Sequence, residues 1–183
     1  MNDPGDSTLQ SAADDSAADS EPPEPLAISI VAEAGDWSAF PSAEARIAEA
    51  ARALARHPRC VGAHDAEATV VLGDDALVRS LNATYRGQDK ATNVLSFSFD
   101  VGRGAGSLGL GDVVLAAETV AREAEEQNVP PVHHLQHLVV HGLLHLLGFE
   151  HDTDARAEDM ERVEIEILAG LGVADPYAPA EST

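Results

Sequence analysis

The sequence is poor in lysine, cysteine and long apolar runs, and each shortage argues against a class of protein. Lys90 is the only lysine, and the formal net charge of -21 would repel nucleic acid or an anionic membrane at long range. Cys60 is the only cysteine, which excludes an internal disulfide and a cysteine-based metal cluster. No apolar run reaches the roughly 18 residues that a membrane-spanning helix needs, and the acidic N-terminus does not resemble a signal peptide. We therefore expect a cytoplasmic protein that binds neither membranes nor DNA.

The acidic charge is highest at the N-terminus. Residues 1–25 hold seven acidic residues and no lysine or arginine, which leaves 25 acidic and 11 basic residues in the rest of the chain. This segment is rich in Asp, Ser, Ala and Pro, and burying it would return less free energy than its ordering costs. We expect a disordered acidic tail over 1–25, either solvated or a docking segment, then one globular domain over 26–172 and a flexible C-terminal tail over 173–183.

Hydrophobic periodicity predicts four strands and about five helices in the domain. Strands are expected where β-branched or alternating apolar residues lie between turn residues, at 26–31, 68–72, 92–99 and 111–116. Helices are expected at 42–58, after a cap at Asp74 or Asp75, at 118–127, at 132–147, and from a cap at Thr153 or Asp154 to about 168. The last two strands are close enough along the chain to be antiparallel neighbours, joined by a mobile Gly-rich loop at 102–109. The order predicts an α+β fold in which helices cover a small mixed four-stranded sheet.

The stretch from His141 to His151, HGLLHLLGFEH, carries the strongest chemical signal. His141 and His145 lie one turn apart on the same face of a helix. Gly148 can end that helix in the left-handed conformation, so the chain can turn back and deliver His151. Three neutral imidazoles with an open fourth position are typical of a catalytic zinc site. We therefore expect one Zn2+ per chain, bound by these three histidines in a zincin-like site.

Other readings of these histidines remain open. The leucines around the motif also fit a buried helix whose histidines are satisfied core residues, and two further histidine pairs have the same spacing of four. Only His141 and His145 are followed by a glycine and a third histidine. The remaining histidines are expected at the surface or, for those near the motif, behind the ligands: His57, His64, His133, His134 and His137.

The residue after the first motif histidine separates the metal site from peptidase chemistry. Zinc peptidases with the HExxH signature place a general-base glutamate there, whereas this chain has Gly142, although its histidine spacing matches that of the metzincin peptidases. A bound zinc can still lower the pKa of its water to about 7 and polarise a phosphodiester oxygen. Glu150 and Asp152 flank the last histidine, either as orienting partners of an imidazole or as charges at the start of a helix.

A second polar segment, LNATYRGQDKATNVLSFSF at 81–99, clusters polar and charged residues just before a strand. Arginine can bind a phosphate through two parallel hydrogen bonds. In an acidic chain, Arg86 and Lys90 could mark the place where an anionic substrate is held near the metal. The alternative is a cation at a helix end that interacts with the dipole of its own helix.

Three segments, NATYRGQDKATNVLSF, LGDVV and HGLLHLLGFEHD, together resemble the YbeY family of bacterial metal-dependent endoribonucleases, or rRNA maturation factors. The resemblance covers about residues 26–172. It implies a zinc-bound α+β domain that cuts single-stranded RNA, processes the three-prime end of small-subunit (16S) rRNA and helps in ribosome quality control. Its implied partners are rRNA, the small ribosomal subunit and ribosome-associated proteins. The family's metal ligands correspond to His141, His145 and His151, and its activity-supporting arginine corresponds to Arg86.

The chain departs from the family pattern at two places. The family forms GYDH and DKPTNVLSFP read GFEH and DKATNVLSFS here, and losing both prolines loosens a turn without touching the ligands.

Two further functions stay open beside the endoribonuclease: a zinc hydrolase of peptide or amide substrates, and a ribosome assembly factor whose metal is chiefly structural. For the endoribonuclease, the acidic surface predicts weak and salt-sensitive RNA binding by the isolated protein.

Overall fold

Strands and helices alternate along the part of the chain that the computed structural model describes, residues 26–99 and 108–178. Its strands are β1 (Ala27–Ala32), β2 (Ala66–Gly73), β3 (Val94–Ser98) and β4 (Leu108–Ala116). Its α-helices are α1 (Ala43–Arg56), α2 (Asp75–Arg86), α3 (Ala117–Glu126), α4 (Pro131–Leu146) and α5 (Asp154–Ala169), with a short 3-10 helix at Val61–Ala63. The tail predicted over 1–25 lies outside the described residues. So does most of the loop predicted at 102–109, whose last two residues belong to β4.

The predicted elements are all present, and two of the predicted helix caps are confirmed. The Asp74 side chain accepts a hydrogen bond of 2.7 Å from the backbone N–H of Leu77 at the start of α2. The Thr153 side chain does the same for Arg156 at the start of α5. Ser42 precedes α1 as expected, but it has a left-handed backbone (φ 58) and its side chain does not cap the helix. Sequence patterns therefore located the helices well, because their caps and apolar stripes are local features.

The sheet is mixed, with strand order β1-β2-β4-β3. β1 pairs with β2, and β2 with β4, in parallel, while β3 and β4 are antiparallel neighbours as predicted. The two-residue alternation in β3 directs Ser96 toward α4, whereas Leu95 joins the apolar cluster with Val78 of α2. β3 is an edge strand, and its alternate side chains contact α4 on one face of the sheet and α2 on the other.

Helix α4 lies at the centre of the main core. It packs against α1, α3, α5, β3 and β4, and its Leu135, Val139 and Leu143 are fully buried. Replacing one such leucine by alanine would cost about 2–5 kcal/mol of stability. The rigid position of this helix fixes the backbone from which the motif histidines project.

Within the described ranges, none of the helices combines the length and the apolar character that crossing a membrane requires.

Candidate metal centre

The chain turns back at the end of α4 through a glycine. Gly148 has φ 89, and its N–H donates to the carbonyl of His145 at 3.0 Å. The N–H of Phe149 donates to the carbonyl of Leu144 at 2.9 Å. These two bonds form a Schellman motif, in which the left-handed residue is usually glycine. The predicted helix break at Gly148 is therefore confirmed, and the turn places His151 next to the helix histidines.

The three motif histidines come together at this turn. His141, His145 and His151 each offer one ring nitrogen, and these atoms all lie within 4.8 Å of one another. The Nε2 atoms of His141 and His145 are 3.1 Å apart. Tetrahedral zinc with bonds of about 2.0–2.1 Å would separate neighbouring nitrogens by roughly 3.3 Å. His151 is exposed while the other two are half-buried, so the group could hold a metal ion that is open to solvent on one side.

Hydrogen bonds to Nδ1 orient both helix histidines. Nδ1 of His141 donates to the Glu164 carboxylate at 2.6 Å, and Nδ1 of His145 donates to the carbonyl of Phe149 at 2.9 Å. A carboxylate and a carbonyl can only accept, so each Nδ1 carries the proton and each neutral ring has a lone pair on Nε2. Two lone pairs 3.1 Å apart repel each other unless a cation lies between them. The donor set therefore fits a bound metal.

The surroundings of His145 keep its imidazole neutral. Burial, together with the neighbouring His141 and His151, lowers the pKa of His145 to about 4. A metal binds the neutral form of imidazole, so protons do not compete for this nitrogen at neutral pH.

Glu164 in α5 is the main functional residue that the sequence interpretation missed. Its side chain is fully buried, and it accepts hydrogen bonds from His141 and from the hydroxyl of Tyr177. Burial alone would raise the pKa of Glu164, but the facing His137 and His141 imidazoles and the Tyr177 hydroxyl lower it to about 2. Glu164 is therefore ionised, and it holds His141 in the tautomer that leaves Nε2 free.

A weak signal for Glu164 was present in the sequence. It lies four residues after Met160 and three before Ile167, on the face of α5 that the periodicity predicts to be apolar. Carboxylates are almost never fully buried unless they have a partner. Tyr177 lies in the segment 173–183, for which a flexible tail stays a prediction.

Several other histidines are more buried than the sequence suggested. His134 is 4% exposed and bonds to Glu123 of α3 at 2.9 Å. The side chain of His57 is 10% exposed and bonds to Glu166 of α5, while His64 is half-buried and bonds to a backbone carbonyl of α1. His57 is thus less exposed than the surface position predicted for it, and His134, predicted at the surface or behind the ligands, is buried beside Glu123.

The acidic residues around the third histidine form ion pairs with one arginine. Arg156 Nη1 lies 2.6 Å from Glu150 and 3.1 Å from Asp152, and all three side chains are exposed. Of the two interpretations of these residues, the contacts favour charges at the start of α5.

Arg86 is connected to the metal centre through the edge strand. It is the last residue of α2, and its Nη2 donates to the carbonyl of Ser96 at 3.2 Å. The Ser96 hydroxyl donates in turn to the carbonyl of Gly142, the residue after His141, at 3.2 Å. Within the described part of the chain, Arg86 forms no ion pair with a carboxylate. Its remaining donors are therefore available to an anion.

Gly142 lies where α4 contacts the sheet and has no room for a side chain. A Cβ atom there would lie 2.6 Å from Cγ1 of Val113 and 3.2 Å from the hydroxyl of Ser96. The position that bears a glutamate in HExxH peptidases thus points into the sheet in this fold.

Comparisons with known proteins identify the family. The family model described as Endoribonuclease YbeY matches residues 37–172. An Endoribonuclease YbeY from Azorhizobium caulinodans is 50% identical over 85% of this chain and 99% of its own, and one from Parvibaculum lavamentivorans is 50% identical over 83% and 85%. A solution structure of a Thermotoga maritima protein is 22% identical over 83% of this chain and 99% of its own, with a TM-score of 0.49. From the family match and these identities, the chain belongs to the Endoribonuclease YbeY family.

Proposed function

We propose that this chain is a zinc-dependent endoribonuclease that cleaves single-stranded RNA in the cytoplasm. Its role would be three-prime-end maturation of 16S rRNA and ribosome quality control, in contact with the small ribosomal subunit and ribosome-associated proteins. The observation that supports the metal most directly is the pair of Nε2 atoms 3.1 Å apart, both freed by bonds at Nδ1. The relatives are named as endoribonucleases, which supports RNA as the substrate.

His141, His145 and His151 would hold the zinc and leave its fourth position open. When bound there, zinc lowers the pKa of a coordinated water and polarises a phosphoryl oxygen. The chain's own contribution is orientation: Glu164 fixes the ring of His141, and the carbonyl of Phe149 fixes that of His145. His151 lies on the exposed turn, so a substrate would approach the site from that side.

Arg86 would bind a phosphate of the RNA. Its guanidinium is exposed and uses one nitrogen on Ser96, so its other donors can hold a phosphate in a forked arrangement. The net charge of -21 opposes RNA at a distance. Binding by the isolated protein would therefore be weak and salt-sensitive, and the ribosome or a protein partner would supply specificity.

The structure gives less support to the two other functions. A peptidase of the HExxH type needs a glutamate that the contact between Gly142 and Val113 leaves no room for. A purely structural zinc normally has four protein ligands, whereas the exposed His151 leaves this group of three open to solvent.

The test is to measure bound zinc and the cleavage of a single-stranded RNA oligonucleotide and of its duplex. We expect His145→Ala to lose both zinc and cleavage, and the control His133→Ala, on the same helix, to keep both. A chelator should abolish cleavage and added zinc restore it. Full zinc content in His145→Ala would contradict the ligand assignment, and cleavage that survives metal removal would contradict the mechanism.

The rRNA role requires a separate substrate. Small ribosomal subunits that carry precursor 16S rRNA should lose their three-prime extension with the wild type and retain it with His145→Ala. If the enzyme cuts oligonucleotides but leaves this extension intact, the endoribonuclease activity would stand and the role in rRNA maturation would be refuted.

A further inference from the structure

A cationic pocket lies at the C-terminal end of α1. Its volume is about 400 Å³, and α1 contributes Arg52 and Arg56 to its wall. The connection to β2 contributes His57, Pro58, Val61 and His64. Val61 is 69% exposed, so the pocket combines two positive charges with accessible apolar surface.

The two arginines of this pocket have no carboxylate partner among the described residues. Among the described arginines only Arg86, at the end of α2, shares this property, because six others form an ion pair with a carboxylate: Arg46, Arg59, Arg79, Arg122, Arg156 and Arg162. Arg52 and Arg56 are four residues apart in α1, so they lie on the same face of the helix. Glu166 lies near the pocket but is bonded to His57 at 2.9 Å. In so acidic a chain, an unpaired arginine pair could bind an acidic ligand.

The topology brings the N-terminal segment of the chain to this pocket. β1 and β2 are parallel, so α1, which joins them, runs in the opposite direction and ends beside the N-terminal ends of both strands. Ala27 pairs with Glu67, which places Leu26 next to Ala66. His64, in the pocket wall, precedes Ala66 by two residues. Residues 1–25 therefore join the domain at the end that carries the arginine pair.

The segment that precedes β1 has the matching chemistry. It reads Asp-Ser-Glu-Pro-Pro-Glu-Pro over residues 19–25. Prolines favour the polyproline II conformation with three residues per turn, so Glu21 and Glu24 would lie on the same side. We propose that residues 19–25 dock in this pocket, with Glu21 and Glu24 against Arg52 and Arg56.

The short connection makes such docking effective. Exposed ion pairs bind weakly on their own. A short flexible tether raises the effective concentration of the segment to about the millimolar range, so weak binding can be populated within the same chain. A docked segment would also occupy the arginine pair with the chain's own carboxylates, and RNA would have to displace it to bind there.

A spin label in the full-length protein tests this directly. Ser20→Cys can be labelled selectively, because Cys60 is 1% exposed and burial raises the pKa of its thiol to about 11. With the oxidised label, NMR peak intensities for the amides of residues 55–64 should fall at least about two-fold below those of the labelled Arg52→Gln/Arg56→Gln protein, in which the segment is tethered beside the pocket but not docked. The difference should disappear near 1 M salt, where the Debye length is only about 3 Å.

Matched variants identify the contacts. Arg52→Gln/Arg56→Gln should reduce the intensity loss to that of a tethered but undocked segment, while Arg46→Gln/Arg122→Gln, with the same change in net charge, should keep the full loss. All four side chains are on the surface, so we expect these variants to fold, and their thermal melts check this. An intensity loss that is unchanged in Arg52→Gln/Arg56→Gln, or that lies at other residues, would overturn the proposal.

A charge exchange and an RNA arm complete the test. Glu21→Arg/Glu24→Arg should reduce the intensity loss to the same undocked level, and combining it with Arg52→Glu/Arg56→Glu should restore the full loss. The pocket would belong to RNA instead if the wild type shows only the undocked level of intensity loss at residues 55–64 while Arg52→Gln/Arg56→Gln weakens binding of a single-stranded RNA oligonucleotide. That result would overturn docking of the chain's own segment.

Discussion

The buried carboxylate of Glu164 accepts a hydrogen bond of 2.6 Å from Nδ1 of His141. This contact joins α5 to α4 across 23 residues of sequence and fixes which nitrogen of His141 faces the other motif histidines. Hydrogen bonds of this kind orient a metal-binding imidazole and raise its basicity. The candidate metal centre therefore depends on α5 as well as on the motif itself.

Glu164→Gln should weaken zinc binding about 10–100-fold, the usual effect of losing such a partner. The amide can still accept one hydrogen bond but lacks the negative charge that polarises His141. A competition titration against a chromophoric chelator measures the affinity. The control is Glu158→Gln on the exposed side of the same helix, which makes the same change in net charge. Equal zinc affinities for the two variants would contradict the role of Glu164.

Tyr177→Phe should destabilise the domain by about 1–2 kcal/mol, because it removes a hydroxyl that donates to the ionised Glu164. Urea unfolding measures the change. Tyr85→Phe is a suitable control, since Tyr85 is 68% exposed and its hydroxyl forms no hydrogen bond within the described residues. A Tyr177→Phe variant as stable as this control would show that residues 173–178 do not hold Glu164 in solution.

Local sequence signals predicted most of the fold. The alternation in β3, the cap at Asp74 and the glycine at 148 are each encoded within a few residues, and the structure has the strand, the helix start and the turn where they predict them. The three histidines that meet at the end of α4 were found for the same reason, because helix periodicity and one glycine break bring them together.

Contacts between distant elements could not be predicted in this way. Glu164 and Tyr177 reach the metal centre through the packing of α5, and no residue spacing encodes that contact. His134 is buried beside Glu123, and the half-buried His57 bonds to Glu166; in both pairs the partner comes from another helix. From the sequence, Gly142 was interpreted as the absence of a general base. The structure shows that the close approach of Val113 leaves no room for a side chain at this position.

Gly142→Ala should destabilise the protein by about 1–3 kcal/mol, the usual cost of overpacking a core. The new Cβ atom would lie 2.6 Å from Val113 Cγ1, so helix and sheet must move apart. Gly62→Ala is the control, because its Cβ would make an ordinary contact of 3.6 Å with Leu147. Thermal and urea unfolding compare the two variants. Equal stabilities would show that α4 and the sheet can move apart without lowering the free energy of unfolding.

His134 makes the stability of the domain depend on pH. Burial lowers its pKa below the ordinary 6.5, with a smaller lowering from His137, although its hydrogen bond to Glu123 opposes the change. The unfolded chain therefore binds a proton at pH values where folded His134 does not. The stability that neutral His134 contributes is complete above about pH 6.5 and is lost as the pH falls from there through the folded-state pKa.

Urea unfolding between about pH 7.5 and 5.5 checks this dependence. The free energy of unfolding should fall less steeply on acidification in His134→Gln than in the wild type, while His133→Gln keeps the wild-type slope. NMR titration of the imidazole gives the pKa itself. A folded-state value at or above 6.5 would refute the assignment.

Arg86 should contribute to RNA binding through one phosphate. Arg86→Ala removes the exposed guanidinium that Ser96 holds at the sheet edge, and we expect cleavage of single-stranded RNA to fall about 100-fold if that phosphate carries charge in the transition state. The slope of log affinity against log salt should decrease by about 0.7, the value for one phosphate contact on a single strand. Arg86→Lys should restore the slope but only part of the rate, because an ammonium keeps the charge without the fork.

Arg79→Ala, on the same helix but paired with Asp89 at 2.6 Å, is the control and should change the slope little. An unchanged slope and rate in Arg86→Ala would contradict phosphate binding by Arg86 and would leave it only the structural contact with Ser96 of β3.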